Sequence, residues 1–108
     1  MRVVIMEPGK LWPRIAHLDD ARAIQATLGG LTFARTVHHS GRDFWVVTRV
    51  DAEAVGLAPN RIIDGHCLYG PIVVCGYGFA DIPLPVAKDL QFDCAWPMAQ
   101  LESHDKPA

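Results

Sequence analysis

The apolar positions of this chain fall into short, well-separated runs, and the spacing within each run predicts an element. Residues 2–6 form a β-branched apolar run without polar alternation, closed by the turn signal Glu7-Pro8-Gly9-Lys10. Such a run reads as a strand covered on both faces, hence an interior one. A short second strand is predicted after Pro13, carrying Ile15 and Leu18. Proline at the first residue of a strand costs no ladder donor. Asp19-Asp20 then marks a helix start, because a carboxylate there caps free N–H groups and meets the positive end of the helix dipole. Ala21, Ile24 and Leu28 share one helical face, and Gly29-Gly30 ends the helix.

Two alternating runs follow. Leu31, Phe33, Arg35 and Val37 alternate with Thr32, Ala34, Thr36 and His38, and the pattern places the first set on a buried face. After His39-Ser40-Gly41-Arg42 the alternation resumes, with Phe44, Val46, Thr48 and Val50 against Trp45, Val47 and Arg49. An antiparallel hairpin is expected. Residues 51–71 are the least regular part of the chain. One helical turn fits residues 51–54, but Gly56, Pro59, Asn60, Gly65, Gly70 and Pro71 prevent anything long. A strand at 71–76 and a loop at Gly76-Tyr77-Gly78 come next. Asp81-Ile82-Pro83-Leu84-Pro85 introduces a second helix, with Val86, Leu90 and Cys94 as its apolar face and Pro97 as its end. The sum is an α+β domain over residues 1–97, built on a small, mostly antiparallel sheet of about five strands with one or two helices packed on one face. A polar tail, 98–108, is expected to be flexible. An open sheet of this size leaves an exposed edge, which invites a partner or a homodimer.

Composition narrows the class. Half of the 108 residues are apolar and a fifth are charged, which is too hydrophobic for a disordered segment. The formal net charge is -2, without the basic excess of an unselective nucleic-acid binder or the strong acidity of a DNA mimic. The longest apolar runs fall far short of the ~20 residues of a membrane span. Glu7, Pro8 and Lys10 interrupt the N-terminal run, so it does not read as a signal peptide. Cys67, Cys75 and Cys94 are odd in number and contain no C-x-x-C pair, the pattern of reduced thiols in a cytosol. Cys75, inside an apolar strand, reads as a small buried hydrophobe.

The candidate chemistry is sparse. His38-His39 and His66-Cys67 offer four metal-ligating groups, but neighbours in an extended chain point to opposite faces, and the spacing matches no zinc module. A site would need one member of each pair plus a carboxylate such as Asp64; the plainer reading of His38 and His39 is a solvated hairpin tip. Cys67 beside His66 suggests a nucleophile and base, yet such pairs form in space rather than by adjacency. G-x-S-x-G, H-E-x-x-H and the P-loop lysine are all missing, so the sequence points to no catalytic residue, metal or cofactor. Arg35, Arg42, Arg49 and Arg61 are forked cations suited to phosphate or carboxylate, and acidic residues match them over the same stretch. Arg35 either has a carboxylate partner or marks a pocket. Trp45 lies on the strand face opposite Phe44 and Val46, so one of the two faces is a candidate interface.

The order of elements, and above all Gly56-Leu57-Ala58-Pro59-Asn60-Arg61 followed by Gly70-Pro71-Ile72-Val73-Val74-Cys75-Gly76, resembles a family of small uncharacterised domains. Its members are carried by bacteriophages, plasmids and other mobile elements, many of them actinobacterial. The resemblance covers roughly residues 1–95 and brings no catalytic residues with it. In the motif itself, Pro59-Asn60 makes a tight turn, and Arg61 is placed to meet carbonyls or an anion. The resemblance implies a non-enzymatic accessory protein in the cytoplasm of a bacterial host, one that occludes a host protein, including components of defence systems. Trp45, His38, His39 and Arg42 would then supply contacts. The alternative is a sponge for a nucleotide-like signal, with Arg35, Arg49, Asn60 and Arg61 on phosphates and Tyr69 stacked on a base.

Overall fold

The computed structural model describes residues 1–95 and 100–101. Along the chain run β1 (Arg2–Met6), β2 (Arg14–His17), α1 (Ala21–Leu28), β3 (Thr32–His39), β4 (Arg42–Arg49), β5 (Pro59–Ile63), β6 (His66–Tyr69), β7 (Ile72–Gly76), α2 (Leu84–Asp93) and β8 (Gln100–Leu101). Five of the strands form one antiparallel sheet in the order β2-β1-β7-β4-β3. A second sheet holds the β5–β6 hairpin with β8 parallel to β5. The protein is an α+β fold, and β1 is an interior strand as its uninterrupted apolar run predicts.

Each face of the large sheet has its own cover. Val3 and Ile5 of β1 join Val47, Val73 and Cys75 under Ile24 and Leu28 of α1. Val4 and Met6 face the other way, with Phe44, Val46, Ile72 and Val74, against Ala87 and Leu90 of α2, its cap Cys94, and Ile63 and Leu68 of the hairpin. A single helical face therefore becomes two. The cause is visible in β1 and β7, which are apolar at every position and must be shielded on both sides.

Local signals set the element ends. Asp20 caps α1 by accepting from the Ala23 N–H at 3.0 Å, and Gly29 closes it in the left-handed conformation. The β3–β4 connection is a two-residue turn with φ of 52° at Ser40 and 77° at Gly41. Positive φ at both central positions gives the tight hairpin turn whose twist matches the flanking strands. Residues 51–57 hold the expected helical turn, marked by Val55 N–H donating to the Asp51 carbonyl at 2.9 Å. The rest of the irregular stretch is a second hairpin, closed by Asp64 (φ 52°) and Gly65 (φ 81°) in the same way.

The face assigned to the first hairpin strand needs correction. Val37 is buried, but Leu31 and Phe33 are exposed, Phe33 by 52%. β3 is the last strand of its sheet, and the cover over β1, β7 and β4 does not extend over its first half. At the C-terminal end, α2 stops at Asp93 with Cys94 as its cap. Trp96 and Pro97 lie outside the described residues, as does most of the tail; within it, Gln100 and Leu101 form β8. Among the described residues, no helix is long and apolar enough to cross a membrane.

Candidate functional site

Of the five residues proposed for ligand contact, the fold brings three together. Arg35, Arg49 and Tyr69 line one groove of about 350 Å³ between the open end of the β3–β4 hairpin and β6. Phe33, Val50 and Glu53 complete its walls, and Cys67 sits two residues before Tyr69 on the same strand face. The volume falls in the range of ordinary ligand clefts. The Arg35 guanidinium lies over the Phe33 ring, 5.6 Å from its centroid, a distance at which a cation is attracted to the ring face. No ion pair involving Arg35 is recorded among the described residues. Arg49 is already engaged: its Nε donates to Asp51 Oδ1 at 2.5 Å and its Nη2 to Oδ2 at 3.4 Å. The chain keeps Gly30 beside it, where a Cβ would stand 2.9 Å from Arg49 Nε. The Tyr69 phenol is held above its usual pKa, first by its hydrogen bond with Cys67 and then by the charge of Glu53.

Asn60 and Arg61 stand apart from the groove, and this corrects their reading as ligand contacts. Both are 1% exposed. The Asn60 amide donates to the carbonyls of Met6 (2.9 Å) and Gly70 (2.8 Å). Arg61 Nε donates to the Cys94 carbonyl at 3.0 Å. Its Nη1 donates to the Asn60 carbonyl and to Asn60 Oδ1, and its Nη2 to the carbonyls of Lys10 and Leu11. A guanidinium has five N–H donors, and these contacts occupy all of them. Burial away from water lowers the Arg61 pKa. The Gly56-to-Arg61 motif is thus a clasp that ties β5 to the chain after β1, to the end of α2 and to Gly70. Gly70 belongs to it as well, since a Cβ there would meet Leu57 Cδ1 at 2.7 Å and its φ is 72°.

The proposed interface residues separate in the same manner. His39 is buried, with Nε2 2.7 Å from Asp93 Oδ2 of α2, so this end of the hairpin is docked rather than solvated. His38 Nδ1 lies 2.8 Å from Asp43 Oδ1. Arg42 is exposed beside a small cleft of about 100 Å³ that also includes Asp89 and Asp93. Trp45 is half-buried on the α1 face and meets Phe79 and Tyr77 edge-on, at centroid separations of 4.8 and 5.4 Å. Trp12, one of several large aromatics suited to anchor a core or an interface, packs edge-on with Phe92 at 5.2 Å while both stay half or more exposed; nothing in the sequence marks Phe92 as its partner. Their separation in sequence, one after β1 and one at the end of α2, leaves no local signal.

The thiols divide by burial. Burial pushes Cys75 up to about 11 and Cys94 to about 12, and the neighbouring charge of Asp93 adds to the second. Both are held as neutral thiols at physiological pH. Cys67 is exposed. Among the described residues, no group of three or more His, Cys, Asp and Glu side chains is arranged to hold a metal ion.

The architecture is that of a small α+β domain with a closed polar clasp inside and an open groove at one sheet margin. Residues 1–91 match the family model described as a domain of unknown function, DUF3846, and the chain belongs to that family. No curated protein and no solved structure matches it.

Proposed function

We propose that the chain is a non-enzymatic accessory protein of a phage or other mobile element that acts in the host cytoplasm by binding a host protein. Host defence components are among the targets this reading covers. The groove bounded by Phe33, Arg35, Val50, Glu53 and Tyr69 is its contact surface. The observation that carries the reading is the mixed character of that groove. It presents exposed Phe33 and Val50, a phenol, one carboxylate and one cation that has no ion pair among the described residues. Aromatic and arginine side chains set among apolar neighbours are the usual anchors of a protein contact. A nucleotide-like polyanion asks for an excess of cations instead. Here Arg49 is chelated by Asp51, Arg61 is enclosed, and Glu53 offsets Arg35.

The test is native mass spectrometry of the full chain after incubation with lysate of a bacterial host. A protein-sized addition is expected on the wild type and is lost on Tyr69→Ala and Val50→Asp. Both positions lie on the groove walls outside β3 itself, and circular dichroism checks that each variant folds. A ligand-sized addition, lost on the same variants, would replace this reading with that of a small-molecule sponge. A protein-sized addition indifferent to both variants would move the contact off the groove.

A further inference from the structure

The two edges of the large sheet are finished differently. β2 is four residues long and follows Pro13 directly, and short strands with a neighbouring proline are common ways of blunting an edge. β3 is eight residues long, and its pairing with β4 runs from Thr32↔Arg49 to His39↔Arg42 without a register shift. It contains no proline, lysine or bulge. The Val50 N–H donates to the Leu31 carbonyl at 2.8 Å, and the two-residue turn closes at His39 and Arg42. Together these fix the odd-numbered residues of β3 as those bonded to β4. Thr32, Ala34 and Thr36 consequently direct their N–H and C=O groups outward from the sheet, where no backbone partner is recorded among the described residues.

We propose that β3 of a second copy of this chain pairs antiparallel with β3 across this edge, with the two-fold axis at Ala34. That register follows from the strand's own sequence, Thr32-Phe33-Ala34-Arg35-Thr36. Centred on Ala34, it sets Ala34 opposite Ala34 of the second copy and Thr32 opposite Thr36, and these become the hydrogen-bonded pairs. The three pairs exchange two backbone bonds each, about six in all. The intervening pairs place Phe33 opposite Arg35 of the second copy, twice, at the closer spacing of non-bonded pairs. A cation thereby meets an aromatic ring on both sides of the axis. The strand already shows this affinity within one chain, where Arg35 lies over Phe33. A centre at Arg35 would set the two Arg35 cations directly opposite each other, and a centre at Phe33 would pair Thr36 with Gly30, outside the strand. A centre at Thr36 would set Arg35 opposite Val37, which is buried in its own core. An interface of this kind is isologous and closes on itself. Because the axis stands perpendicular to the sheet, both grooves open on the same face. Each gains Phe33 and Arg35 of the second copy at its margin. The pairing does not depend on what the groove binds.

Analytical ultracentrifugation of the full chain over a range of concentrations tests the proposal. A species of twice the 11.9 kDa chain mass is expected. Ala34→Pro removes an outward N–H without touching the bonds to β4, and it should leave a monomer. Phe33→Lys sets a second cation against Arg35 of the second copy, two times over, and should raise the dissociation constant about tenfold or more. Phe33→Glu replaces each aromatic contact with an ion pair and should retain the dimer. Position 33 is exposed, so the opposite behaviour of Lys and Glu there decides the matter even if Ala34→Pro fails to fold. A wild type that stays monomeric at about 100 µM, or a dimer equally tolerant of Phe33→Lys and Phe33→Glu, overturns the proposal. A groove that binds no host protein would leave these results unchanged.

Discussion

Arg61 and Arg35 look interchangeable in the sequence, and the fold gives them opposite surroundings. Around Arg61, every donor meets an acceptor of the same chain and water is excluded. Around Arg35, the recorded contact is an aromatic ring, and the rest of the guanidinium faces a groove. The first region has spent its hydrogen-bonding capacity on holding segments together. The second has kept its capacity for something outside. Arginine alone does not mark a binding site; the acceptors that surround it decide.

Substitution of Arg61 should test the closed region most severely. Arg61→Met keeps much of the apolar stem but strands the acceptors at Asn60 and Cys94 in the interior and frees the part-buried carbonyls of Lys10 and Leu11. Each buried acceptor left without a partner costs about 1–3 kcal/mol. A combined loss of about 3–5 kcal/mol is expected after relaxation and water entry, read as a fall in the midpoint of urea unfolding.

The thiols sharpen the comparison, since Cys94 belongs to the clasp and Cys67 to the groove. At pH 8 in the native state, a thiol-directed reagent should modify Cys67 and spare Cys75 and Cys94. In Arg61→Met, Cys94 should become reactive as the clasp opens. Stability carries the same signature. Burial raises the folded-state values of Cys75 and Cys94 to about 11 and about 12, above the ordinary thiol value near ~8.5. Above that ordinary value the unfolded chain releases these protons while the folded chain keeps them. The contribution is therefore fully present below about pH 8.5 and is lost as the pH rises towards 11–12. Thermal melts between pH 8 and 11 should show a progressive decline, and a flat profile would contradict the burial of the two thiols.

Arg35→Ala should be the mildest change in the folded chain itself. The residue is half-buried at a sheet margin with no ion pair among the described residues, so a shift within about 0.5 kcal/mol is expected by the same urea unfolding. A loss comparable to that of Arg61→Met would show that the groove, too, is part of the scaffold.

How much of this the sequence discloses depends on how far away the cause lies. The first helix is legible because its cap, its face and its stop lie within about three turns, at Asp20, Ile24, Leu28 and Gly29. The β3–β4 hairpin is legible because alternation and the Ser40-Gly41 turn agree. The second hairpin carried a comparable signal in Asp64-Gly65, flanked by Ile62-Ile63 and Cys67-Leu68, but the surrounding prolines and glycines obscured it. The exposure of Phe33 could not be read locally, since alternation describes a face and says nothing about whether another layer covers it. The roles of Asn60 and Arg61 were hidden for a different reason. Their partners are backbone carbonyls as far as 54 residues away along the chain, and a carbonyl has no letter in the sequence.

That last property bears on how such a domain tolerates change. Arg61 is held by the main chain at Lys10, Leu11 and Cys94, and Asn60 by the main chain at Met6 and Gly70. Replacing the side chains of Lys10 or Leu11 leaves the acceptors where they are, provided that the backbone path is kept. Two side chains thus fix the course of several distant segments while placing almost no demand on what those segments display. The surface around the clasp is free to diversify without reopening the interior.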